Sequence, residues 1–226
     1  MHARSVSTAV AVLVLGTLMF PPRDARAQLG TSKWSLELAT DVGSFDEIGF
    51  AVRRHSGATS AFRLALNANL NHADGTGDLT NTGSPDLDAS IFNDTHQLAL
   101  AIHWMKFAKI RNELSATFAT GPSVRSLRID SRQGTGLGTA SFNESEFRLD
   151  ETTFGWEFLL GAEWFFTPRL SLGGSTGFRG DIGSGSQVQI NRSGNGPTYD
   201  VNEFQVDTDI TRITTQSARI QLVAYF

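Results

Sequence analysis

The chain has 226 residues, of which 40% are hydrophobic and 10% aromatic, a formal net charge of −4 and no cysteine. The length is that of a single domain. The acidic balance argues against a general nucleic-acid binder, because such binding depends on neutralising phosphates. Without thiols the chain is neither a disulfide scaffold nor a thiolate metal site.

Residues 1–27 have the order of a cleavable secretory signal. Arg4 precedes an apolar run at residues 9–20, and the small-x-small sequence Ala25-Arg-Ala27 follows that run. The run is several residues too short for a transmembrane helix. We therefore predict a signal peptide at residues 1–27 and a mature domain at residues 28–226, with an uncleaved anchor as the alternative.

Beyond the signal, apolar residues alternate with small or polar ones in eight segments. Successive side chains of a strand point to opposite faces, so each segment predicts a strand with one apolar face. The predicted strands cover residues 33–41, 47–55, 61–71, 96–107, 113–127, 152–166, 169–180 and 218–226. Pro122 lies inside the fifth strand and lacks a backbone donor, which predicts a bulge there.

The links between these strands alternate in length. Short links are predicted near residues 43–44, 57, 109–112 and 167–168, and long polar loops at residues 72–95, 128–151 and 181–211. Short turns at one end and longer loops at the other are typical of outer-membrane barrels. We therefore predict an all-β fold, an eight-stranded antiparallel up-and-down transmembrane β-barrel. If the last strand continues back into the last loop, Ala218–Phe226 is its membrane-buried part and Arg212 shares the outward phase of Ala218.

The long loops are acidic, with clusters from Asp74 to Asp94 and from Glu144 to Glu151. Their spacing matches no EF-hand loop, so a solvated, repulsive surface is the first interpretation and a cation site the alternative. No metal and no cofactor are predicted. These loops are where we expect an extracellular ligand, if the protein binds one.

The second face of the strands is rich in small residues and carries charges. The predicted inward charges are Glu37, Arg53, Arg63, Glu157, Glu163 and Arg219, with Arg125 and Arg179 nearer the loops. A charge in a narrow barrel needs a partner, since its desolvation is otherwise costly. The pattern therefore predicts a structural ion-pair network that fills the lumen. A narrow, gated pore lined by the same residues is the alternative.

Large aromatic residues lie on the other, apolar face. They collect near strand ends, at Trp34, Phe62, Trp104, Trp164 and Phe166 toward the turns and at Phe154, Trp156 and Phe178 toward the loops. Two such girdles are typical of membrane interfaces. Lys106 follows Trp104 on this face and would extend into the headgroups. A soluble lipocalin-type barrel would turn its apolar face inward instead.

The last strand is apolar at every second position and stops on Phe226, the free carboxyl end. A terminal strand of this form resembles the assembly signal of bacterial outer-membrane barrels, and residues 161–173 resemble a barrel hairpin with a proline in its turn. Taken whole, the mature chain resembles small outer-membrane β-barrel proteins of the OmpA/OmpX, porin-like type. The resemblance implies insertion by the barrel-assembly machinery and contact with outer-membrane lipid and lipopolysaccharide.

No catalytic residues are predicted. His55 and Ser56 lie at a turn, and His103 faces inward with no serine or carboxylate near it in sequence. The function expected is an integral outer-membrane barrel with a structural or surface-interaction role. A small-solute channel is the alternative, followed by a lipid-modifying barrel enzyme.

Overall fold

A computed structural model describes residues 33–42, 47–79, 87–136, 141–195 and 198–226, so the predicted signal peptide lies outside the described residues. The strands are β1 Trp34–Asp41, β2 Glu47–Gly57, β3 Ser60–Leu79, β4 Leu87–Lys109, β5 Leu114–Thr135, β6 Ser141–Thr167, β7 Leu170–Asn195 and β8 Thr198–Tyr225. Each strand is antiparallel to its neighbours, and β8 pairs with β1 to close the ring. The predicted eight-stranded antiparallel barrel is confirmed.

The tight connections lie at one end of the barrel, which we call the turn end. Between β6 and β7 the chain turns at Pro168 and Arg169. The Thr167 hydroxyl oxygen accepts hydrogen bonds from the backbone N–H groups of Arg169 at 3.2 Å and Leu170 at 3.0 Å. This side chain satisfies donors that the turn leaves without a strand partner. Among the described residues, no helix has the length and apolar character needed to cross a membrane.

The prediction of three long loops at the opposite end is wrong. Strand pairing continues through most of residues 72–95, 128–151 and 181–211, for example from Asp130↔Arg148 out to Thr135↔Asn143. Polar residues predominate on both faces of these segments, so the period-2 hydrophobic signal is weak although the backbone ladder persists. Gly136, directly after β5, has a φ of 70°, a left-handed conformation that glycine adopts readily.

The bulge predicted at Pro122 is also wrong, because β4 and β5 keep one register on both sides of it. The irregularity lies in β8 instead. Ser175 pairs with Arg219 while Gly177 pairs with Gln216, so two residues of β8 oppose one of β7. A bulge of this kind reverses which face each following side chain points to. Arg212 therefore points inward rather than sharing the outward phase expected for it.

Apolar side chains cover the outside of the barrel and remain exposed. Phe158 is 48% exposed and Leu160 60%, whereas Arg53, on the inner face, is 0% exposed. The band on β6 runs from Phe154 to Phe166, thirteen residues that rise roughly 28 Å at a tilt of about 45°. The interior is filled by polar, charged and small side chains, so the fold has its apolar surface outside.

Two strands are much shorter than the rest. β1 pairs with β8 only between residues 35–41 and 219–225, and β2 pairs with β3 no further than Asn69. Beyond that level β3 to β8 continue as a six-stranded sheet, which we call the extension. Its two margins, residues 70–79 of β3 and residues 198–217 of β8, pair with no further strand among the described residues.

Candidate functional site in the barrel interior

Four of the predicted inward charges meet near the turn end of the barrel. Arg53 donates from Nε to Glu37 at 2.8 Å and from Nη1 to Glu163 at 2.9 Å. Arg63 donates from Nη2 to Glu37 at 2.6 Å. The side chains of Arg53, Glu37 and Glu163 are fully buried. Each charge therefore has an opposite charge in hydrogen-bond contact, which offsets the desolvation that burial imposes.

His103 joins this group to a second one. Its Nδ1 lies 2.9 Å from Arg63 Nη1, and its Nε2 lies 2.9 Å from a carboxylate oxygen of Glu157. A guanidinium can only donate, so Nδ1 must accept and Nε2 must carry the proton that Glu157 accepts. The contacts thus assign His103 as the neutral Nε2–H tautomer. The sequence pointed to no carboxylate near His103, because Glu157 is 54 positions away.

The chain of contacts continues from Glu157 toward the extension. Glu157 pairs with Arg179 at 3.3 Å, and Arg179 pairs with Asp181. Asp181 lies 3.4 Å from Arg125 and 3.6 Å from Arg212. Acidic and basic groups therefore alternate along much of the lumen. Sequence reasoning missed Asp181, which is the first residue of a predicted loop. It placed Arg212 on the outer face, because the bulge in β8 has no signal in the sequence.

Arg219, the sixth predicted network residue, belongs to a separate group. Its Nε donates to Asp41 at 3.1 Å, and its Nη2 donates to Glu47. Asp41 ends β1 and Glu47 begins β2, so this group lies where the two short strands stop. It ties the last strand to the first hairpin on the inner face of the ring.

The lumen is closed by an apolar cluster at the turn end. Its members are Ala61, Met105, Phe107, Ala119, Leu159, Phe165, Val223 and Tyr225. The rings of Phe165 and Tyr225 are 5.4 Å apart between centroids, and His55 lies 5.5 Å from Tyr225. The hydroxyl of Tyr225 donates to Glu163, which connects the cluster to the charges above it. A cavity of about 10 Å³ beside Arg63 and Met105 has room for one water at most.

Phe226 lies at the point where the ring closes. Its backbone N–H donates to the Trp34 carbonyl at 2.9 Å, and its own carbonyl oxygen accepts from Lys33 at 3.2 Å. The side chain is 69% exposed. The residue predicted to be an assembly signal is therefore presented at the turn-end rim of the barrel.

The histidine and serine at the turn end form no catalytic set. The Ser56 hydroxyl contacts Ser60, while Nε2 of His55 contacts the Ser35 hydroxyl at 3.0 Å. Ser35 is fully buried, so a substrate does not reach it. Nδ1 of His55 has no hydrogen-bond partner among the described residues, and a nucleophile's base needs an acid there.

The acidic residues that β6 contributes to the extension are paired with arginines. Glu146 is nearly buried beneath Arg132 at 3.4 Å, Arg192 at 3.3 Å and Arg148. Burial alone would raise the pKa of Glu146, but the hydrogen bond from Arg148 and the three positive charges outweigh it and hold the pKa below its usual range. Glu151, by contrast, points inward to Arg212 at 3.0 Å.

The predicted acidic loops are thus largely paired strands, and the acids on β6 have their charges compensated. Asp94 contacts His96 at 2.9 Å on the same face. Asp86, which the sequence grouped with these acids, lies outside the described residues. Within the described ranges, no group of three or more His, Asp or Glu side chains is arranged to hold a metal ion.

The fold and interior define a class, a closed eight-stranded antiparallel barrel whose lumen is filled by ion pairs. Comparison with known proteins adds no family to this class: no protein-family model matches the chain, and a search of curated proteins found no significant match.

Proposed function

We propose that this protein is an integral β-barrel of the bacterial outer membrane, exported through the periplasm and without catalytic activity of its own. Its role is structural or in surface interaction. The observation that carries the proposal is the inverted distribution of side chains, with apolar residues such as Leu64 and Phe158 exposed and charges such as Arg53 and Glu37 buried. A monomeric soluble protein rarely exposes a continuous apolar surface of this extent.

The dimensions of the apolar band support a membrane location. A rise of roughly 28 Å on β6 is close to the apolar band of about 25 Å in outer-membrane barrels. Exposed aromatic residues lie at both margins, with Trp34, Trp104 and Trp164 toward the turn end and Phe154 and Phe178 toward the extension. Such residues favour the boundary between hydrocarbon and water.

The filled lumen favours a structural barrel over a channel. Each of the two central arginines, Arg53 and Arg63, contacts Glu37, and the aromatic cluster around Phe165 closes the turn end. An ion crossing the lumen would have to break these buried pairs, which is strongly unfavourable because each break leaves a buried charge uncompensated. We therefore expect little conductance from the protein.

The extension supports the surface-interaction part of the role. It projects beyond the apolar band as a six-stranded sheet whose β8 margin, residues 198–217, leaves backbone donors and acceptors unpaired among the described residues. Unpaired strand edges are places where another polypeptide can add a strand. Asp200, Glu203, Asp207 and Asp209 along this margin have no ion-pair partner among the described residues, which favours a basic partner segment.

Tryptophan fluorescence in brominated lipid tests the membrane location. All four tryptophans lie on the outer face and are exposed, Trp34, Trp104, Trp156 and Trp164. Refolding into vesicles of brominated phosphatidylcholine should therefore quench most of the emission, and unheated protein should migrate faster than boiled protein on a gel. Emission that is unchanged in brominated lipid would contradict the proposal.

Planar-bilayer recording separates the structural role from the channel alternative. The refolded protein should add little current above the lipid background, because the lumen is filled. A stable, large open level would show that the lumen conducts and that the small-solute channel is the better description. Calcein-loaded vesicles measured beside the recordings give an independent control for leakage around the protein.

A further inference from the structure

Two cations on the outer face at the turn end lie over tryptophan rings. Nζ of Lys106 is 4.7 Å from the ring centroid of Trp104, and Cζ of Arg54 is 5.7 Å from that of Trp34. Neither cation has a carboxylate partner among the described residues. The two cations and the two tryptophans are all exposed. These contacts hold each charge close to the apolar band while its hydrogen-bond donors remain free.

The strand register places both pairs in one patch, with Phe62 between them. Trp34 pairs with Arg54, Arg54 with Phe62, and Phe62 with Trp104. Lys106 follows Trp104 by two positions on the same face. From strand spacings of about 4.8 Å and a rise of about 3.4 Å per residue, the Cα atoms of Arg54 and Lys106 are roughly 12 Å apart. Two long side chains can therefore both reach one group lying over Phe62.

Apolar columns begin directly next to this patch. On β3, Leu64 and Leu66 follow Phe62 on the outer face, and on β4, Ile102 and Leu100 continue from Trp104. A ligand that satisfies both parts of the surface has an anionic head and apolar chains. A free anion would leave the columns unused, and a zwitterionic headgroup would bring a second positive charge against Arg54 and Lys106.

We propose that this patch binds an anionic phospholipid of the phosphatidylglycerol type. The phosphodiester lies between Arg54 and Lys106 over Phe62, and the acyl chains run along β3 and β4. The proposal rests on the membrane location proposed above and names a lipid partner and a site for it. The exposed charges of the turn end are mostly basic, so this end is also expected to favour the membrane leaflet that is richer in anionic phospholipid.

The test measures which lipid lies beside Trp34 and Trp104. The protein carries Trp156→Phe and Trp164→Phe, so that only these two tryptophans report. It is refolded into phosphatidylcholine vesicles that contain a minor fraction of brominated phosphatidylglycerol or, in a parallel sample, brominated phosphatidylcholine. Each cation near an anionic headgroup is expected to favour it about fivefold, so quenching should be clearly greater with brominated phosphatidylglycerol.

Two further variants identify the residues responsible. Adding Arg54→Gln and Lys106→Gln should bring the two quenching efficiencies to equality, while adding Arg111→Gln, which removes an exposed cation of the β4–β5 link, should leave the preference nearly intact. Equal quenching before these changes, or a preference that survives the double substitution, would overturn the lipid site and leave the membrane location standing. Displacement by added inorganic phosphate would also overturn it. Quenching by neither lipid would instead overturn the membrane location.

Discussion

Nε2 of His103 on β4 lies 2.9 Å from a carboxylate oxygen of Glu157 on β6. This contact joins the group around Glu37 to the group around Arg179, and it crosses the lumen between strands that are not neighbours. Neighbouring strands are already connected by backbone hydrogen bonds. Side-chain contacts of this kind therefore add connections across the lumen that the backbone ladder cannot supply.

Removing the carboxylate at the centre of the network should destabilise the barrel strongly. Glu37→Gln leaves Arg53 and Arg63 buried with one charge fewer between them, and breaking a buried pair in this way typically costs about 3–5 kcal/mol. The free energy of unfolding can be measured by urea denaturation of the protein refolded in lipid vesicles. Glu113→Gln, at an exposed turn residue, serves as the matched control and should change stability by less than about 0.5 kcal/mol. A similar loss in both variants would contradict the assignment of Glu37 as the centre of the network.

A glycine of β7 should tolerate no side chain. A Cβ on Gly177 would lie 1.9 Å from the Phe158 carbonyl oxygen, a backbone atom that cannot move without disturbing β6. We expect Gly177→Ala to cost about 1–3 kcal/mol, as overpacking usually does. Gly180→Ala is the control on the same strand, because nothing lies within 4 Å of its Cβ position. Thermal unfolding of the two variants in the same detergent gives the comparison, and equal transition temperatures would show that the strands separate easily at Gly177.

The ion pairs around Glu146 should make the stability of the extension depend on pH. The folded-state pKa of Glu146 is lowered, so its contribution is fully present above the unfolded value of about 4.3 and is lost as pH falls through the lower folded value. Amide hydrogen exchange of β6 residues 142–150, corrected for intrinsic rates, should therefore show weaker protection at the acidic end of a pH 2–6 series. Glu146→Gln should flatten this dependence, whereas Glu203→Gln, at an exposed residue that has no ion-pair partner among the described residues, should not. A series that stays unchanged in Glu146→Gln would assign the effect to other carboxylates.

Labelling of single cysteines should report the orientation in a bacterial envelope. The chain has no cysteine, so each variant carries one thiol. Ser193→Cys, near the end of the extension, should react with a membrane-impermeant maleimide on intact cells. Thr59→Cys, in the β2–β3 turn, should react only after the envelope is permeabilised. The reverse pattern would place the turn end outside and would contradict the proposed topology.

Several residues show which parts of the structure could be predicted from the sequence. Alternation in eight segments, such as Phe154–Phe166 and Ala218–Phe226, was enough to predict the strands, their number and their inner and outer faces. The strand prediction failed where both faces are mostly polar, as at residues 128–151. Strands were predicted from alternating hydrophobicity, and backbone pairing by itself produces no such alternation. The prediction failed again at Arg212, where one extra residue in β8 reversed the phase.

The sequence by itself determined the fold class and which face of each strand is apolar, since period-2 spacing is a property of neighbouring residues along one chain. It also marked Glu37, Arg53, Arg63, Glu157, Glu163 and Arg219 as inward charges. Only the tertiary structure decided which inward-facing side chains pair with each other, because contacts such as His103 with Glu157 and Arg53 with Glu163 join strands far apart in sequence. It likewise decided that β3 to β8 rise above β1 and β2, because strand length depends on a neighbour's backbone as well as on the strand's own residues.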